Sequence, residues 1–181
     1  MSDILVTGVP GVGKTTLIRR VAGDLSRRLR ETAYTGDLAG FYTQEIRKQG
    51  IRQGFELVGL DGRKGILSHI DFKGGPSVGR YGVDVAGFEA FLESLPRPGP
   101  DVRLFIIDEI GKMECLSGIF RAWLTSLLDS KIPVIATIAL RGTPFIEALK
   151  LRPDVRMFEL TTQNREMLPG AIFEAVRNIM R

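Results

Sequence analysis

Gly8-Val9-Pro10-Gly11-Val12-Gly13-Lys14-Thr15-Thr16 combines three glycines, a lysine and two threonines between an apolar run and a helical pattern. Residues 8–15 fit G-x-x-x-x-G-K-[ST], the Walker A spacing. Just before it, Asp3-Ile4-Leu5-Val6-Thr7 is short, apolar and β-branched, the pattern of a buried strand. After Lys14, the residues Leu17, Ile18, Val21, Leu25 and Leu29 recur at helical spacing. Glycines at 8, 11 and 13 let the backbone curl so that successive N–H groups face one anion. The helix opening near Lys14 adds the positive end of its dipole to that site. Lys14 is placed to reach the β- and γ-phosphates of a nucleotide, and the Thr15 hydroxyl to hold Mg²⁺. All nine residues from Gly8 to Thr16 are therefore expected to contact nucleotide.

A second stretch completes the chemistry. Leu104-Phe105-Ile106-Ile107-Asp108-Glu109 is an apolar run ending in paired carboxylates, which matches a Walker B element. A carboxylate at the C-terminal end of a strand faces the crevice where open α/β sheets bind ligands. Asp108 is expected to hold Mg²⁺ through water, because that ion keeps most of its hydration shell. Glu109 is then placed to orient and deprotonate an attacking water. Charge developing on the γ-phosphoryl oxygens calls for a further cation. Lys112, three residues beyond Glu109, and Arg141, just past a predicted central strand, are the two candidates. Arg47 is a weaker one, and Arg165, after the last predicted strand, is expected nearer the base.

Outward from these motifs the chain alternates. A meander of predicted strands, Leu38 to Ile46, Arg52 to Leu60 and Lys64 to Ile70, is joined by the turns Lys48-Gln49-Gly50 and Asp61-Gly62. Tyr34-Thr35-Gly36-Asp37 is the turn that precedes it. Ser77 to Val85 reads as a short extended piece, and Phe88, Phe91, Leu92 and Leu95 as a helix stopped by Pro96. Strands are then predicted at Val102 to Ile107, Ile132 to Ala139 and Val155 to Leu160. Helices fall at Leu116 to Leu128, Thr143 to Leu149 and Leu168 to Met180. The predicted class is α/β: a mostly parallel sheet with helices on both faces, extended at one edge by an antiparallel meander over about 38–70. Residues 1–181 read as one domain.

Composition excludes several other classes. The chain has 181 residues, 44% apolar and 25% charged, with net charge +4, which is ordinary for a globular protein. Arg19, Arg20, Arg27, Arg28 and Arg30 crowd the first helix. Arg20–Asp24, Asp24–Arg28 and Arg27–Glu31 sit at i,i+4, however, so a solvated, ion-paired face is favoured over a nucleic-acid footprint. Cys115 is the single cysteine, which leaves no internal disulfide and no cysteine-rich zinc site. No apolar run approaches the ~20 residues that cross a bilayer, and no signal-peptide pattern precedes the first strand. A cytoplasmic monomer is expected. Phe41 is read as core, Tyr42 and Tyr81 are left between core and base stacking, and His69 is placed at a surface or edge.

Several strings now occur together and in order. They are Gly8 to Thr16, Gly-Phe-Tyr-Thr-Gln-Glu-Ile-Arg at 40–47, Arg-Gln-Gly-Phe at 52–55, Val-Gly-Arg-Tyr-Gly-Val-Asp at 78–84, Asp-Glu-Ile-Gly-Lys-Met-Glu at 108–114 and Asn-Arg at 164–165. In these the chain resembles, over nearly its whole length, the small THEP-type nucleoside-triphosphatases, called cancer-related nucleoside-triphosphatases in animals. The resemblance implies a RecA-like, additional-strand P-loop fold. It also implies slow, Mg²⁺-dependent hydrolysis of nucleoside triphosphates, with broad base preference, to diphosphate and phosphate. It makes Phe105, Ile106, Ile107, Asp108, Glu109, Ile110, Gly111 and Lys112 the second nucleotide-contacting segment. Arg141-Gly142-Thr143-Pro144 departs from the family's pattern.

Two rivals share the loop. A nucleotide or polynucleotide kinase needs an arginine-rich lid, whereas residues 140–154 carry only Arg141, Lys150 and Arg152 as cations. A non-catalytic nucleotide sensor predicts tight binding with negligible turnover.

Overall fold

The computed structural model describes residues 3–31 and 36–179, apart from the side chains of Leu29 and Arg30. The Tyr34-Thr35 turn, the Leu29 and Arg30 side chains and the helix end at Met180 lie outside the described residues.

Hydrophobic pattern and element type agree along the chain. β1 (Asp3–Thr7) leads into α1 (Lys14–Glu31). β2 (Asp37–Lys48), β3 (Ile51–Gly59) and β4 (Lys64–His69) form the meander, followed by the short strands β5 (Ser77–Val78) and β6 (Tyr81–Val83). Then come α2 (Val85–Ser94), β7 (Val102–Ile110), α3 (Gly118–Leu128), β8 (Val134–Ile138), α4 (Pro144–Lys150), β9 (Val155–Glu159) and α5 (Leu168–Ile179). The strands join in one sheet, ordered β5-β6-β4-β3-β2-β7-β8-β1-β9. From β2 to β9 the pairings are parallel; from β2 outward to β5 they are antiparallel. β8 stands between the two motif-bearing strands, β1 and β7, which is the additional-strand arrangement.

Alternation along each central strand feeds two cores. Ile4, Val6, Leu104, Ile106 and Ile135 face α1 and α5, while Leu5, Phe105, Ile107, Val134 and Ala136 share a core with buried residues of α2, α3 and α4. Such strands, buried on both faces, have to read as continuous apolar runs. Helix starts are set by capping side chains. Asp84 accepts from Gly87 N at 2.9 Å, Ser117 from Phe120 N at 2.9 Å, and Thr143, followed by Pro144, caps α4.

Three boundaries differ from expectation for local reasons. The piece predicted as one strand from Ser77 to Val85 turns at Gly79-Arg80 into a small hairpin, and the Asp84 cap hands Val85 to α2. The helix predicted from Leu116 starts at Gly118, since Ser117 caps it and Glu114–Leu116 form a separate 3-10 turn. β7 runs past Ile107 to Ile110 and so includes the acidic pair.

Candidate active site

The phosphate-type loop crosses from β1 to α1 in backbone that only glycine adopts freely. Gly11 has φ 79° and Gly13 has φ 110°. The loop also packs against the chain after β9, where a Cβ on Gly8 would lie 2.6 Å from the Leu160 carbonyl oxygen. Lys14 is the first residue of α1 and is 8% exposed. Its Nζ donates to the Gly8 carbonyl at 3.2 Å, which holds the ammonium across the loop mouth.

β7 brings the carboxylates to the same edge. Its parallel ladder with β8 is interrupted between Ile107 and Ile110, and the peptide joining Asp108 to Glu109 is cis. Asp108 is fully buried: Oδ1 accepts from the Thr137 hydroxyl of β8, and Oδ2 is buried with no hydrogen-bond partner. Burial pushes this carboxyl above its ordinary range, against the pull of the Thr137 and Thr15 hydroxyls and of the Lys14 charge. Glu109 is raised as well, by burial first, with Lys14 opposing and Asp108 adding. A buried carboxylate oxygen without a partner, close to a threonine hydroxyl, fits a hard divalent cation. Among the described residues no cluster of three or more His, Cys, Asp or Glu side chains could hold a metal. Such an ion would therefore take most of its oxygens from phosphate and water.

Lys14 and Glu109 border one cavity of about 620 Å³. Lys14, Thr15 and Thr16 line it from the loop, Glu109 from β7 and Arg141 from beyond β8. Gly8, Pro10, Gly11 and Gly13 complete the loop side. A second cavity, about 300 Å³, adjoins the same loop and is walled by Val12, Thr16, Arg20, Leu160 and Arg165. Val9 is exposed.

The segment 105–112 divides. Phe105, Ile106, Ile107 and Ile110 are fully buried core, and Gly111 is a buried glycine. Lys112 is exposed and is not on the cavity wall. Asp108 lies beneath the surface and Glu109 reaches the cavity.

Three features escaped the sequence reading. Thr137 hydrogen-bonds Asp108 from β8, where its hydroxyl was hidden in an apolar run. Thr43, Gln44, Glu45, Arg52 and Phe55 of the meander face the cavity; the strings at 40–47 and 52–55 contained them without showing why. Glu114 is buried behind the site, 5% exposed. Gly111 is the gap that admits it, because a Cβ there would lie 2.7 Å from Glu114 Oε2 and 3.7 Å from Glu109 Cγ.

Comparison with known proteins agrees with this architecture. A family model described as NTPase matches residues 3–173. The Nucleoside-triphosphatase THEP1 of Thermotoga sp. (strain RQ2) is 43% identical over 175 residues, covering 96% of this chain and 95% of the relative. The human Cancer-related nucleoside-triphosphatase is 36% identical, covering 97% of this chain and 96% of the relative. The crystal structure of THEP1 from Aquifex aeolicus superposes with TM-score 0.79 at 34% identity, over 96% of this chain and 98% of that one. With the two motifs joined across β8 and nearly the full length matched, the chain belongs to the NTPase family that includes these THEP1 and cancer-related nucleoside-triphosphatases.

Proposed function

We propose that the protein hydrolyses nucleoside 5′-triphosphates to nucleoside diphosphate and phosphate, with Mg²⁺ as cofactor and water as the acceptor. The observation that carries this reading is that Lys14, Thr15 and Glu109 border one cavity. The triphosphate lies in the Gly8–Gly13 loop, its oxygens on the backbone N–H groups and its β- and γ-phosphates on Lys14. Thr15 and, through water, Asp108 would hold Mg²⁺, which would supply charge compensation on those phosphates. Glu109 takes a proton from the water whose oxygen attacks the γ-phosphorus, and the β–γ bridging oxygen leaves with the bond pair on the diphosphate. A raised Glu109 pKa makes that carboxylate a stronger base than an exposed glutamate. Arg141, on the cavity wall, is the better placed of the two expected cations for the γ-phosphate.

The nucleoside fits the second cavity, beside Arg165. Its walls carry no aromatic side chain to select a base by stacking, in keeping with a broad preference. The first relatives carry triphosphatase names, which supports the reaction class. Among the described residues no helix is long and apolar enough to cross a membrane. A cavity of about 880 Å³ between α1 and α5 interleaves Asp24, Glu31 and Glu174 with its arginines. That mixed sign does not make a track for a polyanion.

Phosphate release from ATP, GTP, CTP and UTP tests the reading, with and without nucleoside, monophosphate and 5′-hydroxyl RNA acceptors. Phosphate alone is expected, and Glu109→Gln is expected to lower release on the order of 10²-fold or more while retaining nucleotide. Phosphorylated acceptor would make it a kinase. Wild-type release from Glu109→Gln would remove the base assignment.

A further inference from the structure

The hairpin of β2 and β3 brings to the cavity an arginine that neither motif contains. Arg52 stands opposite Arg47 in the β2–β3 register, beside a bulge between Ile46 and Arg47. Its guanidinium lies over the Phe55 ring at 5.2 Å, and both residues line the cavity with Lys14, Thr15 and Glu109. The group is held from several sides. Nη2 donates to Glu45 Oε1, and the backbone carbonyl accepts from Arg80 Nη2 at 2.8 Å. Phe55 is braced in turn by Tyr81, ring centroids 5.6 Å apart. Gly54 permits this stack, since a Cβ there would lie 2.0 Å from the Ser68 carbonyl oxygen of β4. The string Arg52-Gln53-Gly54-Phe55 is thus one device: a cation, a close strand crossing and the ring that carries the cation.

The charge balance leaves that device electropositive. Glu45 accepts from Arg52 through Oε1 and from Arg47 Nε at 2.6 Å through Oε2, so two guanidiniums share one carboxylate. Arg52 Nε is buried and has no hydrogen-bond partner. Buried donors are normally paired, so its neighbours leave this guanidinium with unused hydrogen-bonding capacity, while the side chain as a whole is 40% exposed. A planar fork that is stacked, anchored and incompletely paired suits a phosphoryl group.

We propose that Arg52, fixed by Glu45 and Phe55, is a further catalytic residue whose guanidinium meets the γ-phosphate from the side opposite the loop, stabilising the charge that develops in the transition state. This rests on the triphosphatase reading above. The meander then senses the third phosphate, whereas the loop holds the β-phosphate in either nucleotide.

Binding separates the two claims, because it needs no turnover. Affinities for a β,γ-imido triphosphate and for the matching diphosphate would be measured by calorimetry on the full chain with Mg²⁺. The expected result for Arg52→Ala is a loss of about tenfold or more for the triphosphate and less than about twofold for the diphosphate. Turnover is expected to fall about 100-fold or more, mostly in kcat, as when a transition-state arginine is removed. Arg52→Lys keeps charge without the fork and should recover only part. Arg63→Ala, an exposed cation paired with Asp61 in the β3–β4 turn, controls for the general field and should leave the ratio within about twofold. If Arg52→Ala unfolds, Glu45→Gln, which loosens the anchor and keeps the arginine, should show the same selectivity loss in weaker form. Equal losses of both nucleotides, no loss of either, or a matching effect from Arg63→Ala would overturn the proposal. Should the wild type release no phosphate, the triphosphatase reading fails while the affinity ratio still decides Arg52.

Discussion

The parallel half of the sheet and the antiparallel meander approach the same cavity with opposite means. β8 is buried at every position and β7 at most, so their side chains are consumed by packing on two faces. What they deliver is placement: a loop of backbone N–H groups at the end of β1, and two carboxylates where the β7 ladder breaks. The meander past Phe41 is half-buried along β2 and β3, with one face free. It can therefore project the long polar side chains of Glu45 and Arg52 into the cavity. On the reading proposed above, a rigid core would fix where a phosphate sits, and the sheet extension would tell how many phosphates there are.

Phe41 is where the two regions are joined, and the largest expected effect lies there. It sits in β2 opposite Ile107 of β7 and Gly59 of β3, fully buried, with edge contacts to Phe88 and Phe91 at 5.9 and 5.8 Å. Phe41→Ala is expected to cost about 3–5 kcal/mol of stability. Since one core runs beneath both regions, chemical denaturation should remain a single transition with a lowered midpoint. Two separated transitions would show that the meander unfolds by itself, independently of the parallel half.

Lys14→Ala probes the parallel half. The ammonium is read on the β-phosphate as well as the γ-phosphate, so its removal should weaken both nucleotides, the triphosphate by about 100-fold, or about 2.7 kcal/mol, and the diphosphate by a smaller factor. A loss confined to the triphosphate would assign Lys14 to the third phosphate and make Arg52 redundant. Calorimetry with both nucleotides reads either outcome.

The difference between the regions also explains what could be read from sequence. In the parallel half, burial on two faces imposes uninterrupted apolar runs, and a strand-loop-helix anion site imposes Gly8, Gly13, Lys14 and Thr15; both constraints leave marks on the chain. The meander's strands and turns were legible from alternation and from Asp61-Gly62. Its contribution to the cavity was not, because Glu45, Arg52 and Phe55 converge through pairing register and a bulge, which leave no local signature. Gly40 shows the same limit: a Cβ there would lie 1.9 Å from the Ile106 carbonyl oxygen, a strand-crossing constraint that sequence displays only as one more glycine. Thr137 was hidden for a related reason, as a hydroxyl within Val-Ile-Ala-Thr-Ile reads as strand until its partner Asp108 is known.

The two regions finally treat a carboxylate differently, and the smallest expected effect tests this. Glu45 shares two arginines and keeps one edge in solvent, so its charge is compensated. Glu114 is buried behind Glu109 and Asp108, and its pKa is pushed up to about 8 from an ordinary 4.5, by burial first and then by those neighbouring charges. Between these values the folded chain holds a proton that the unfolded chain has released. Raising the pH through that window therefore favours unfolding, and this contribution is level below about pH 4.5 and above about pH 8. Glu114→Gln keeps an acceptor for the Gly111 N–H and cannot ionise. Relative to the variant, the wild type should lose about 1 kcal/mol for each pH unit between 5 and 7. Urea midpoints for both proteins at pH 5.0, 6.0 and 7.0 would read that slope. Parallel pH profiles would mean that Glu114 ionises in the fold with a cation beside it, and that the parallel half also compensates charge by pairing rather than by holding a proton.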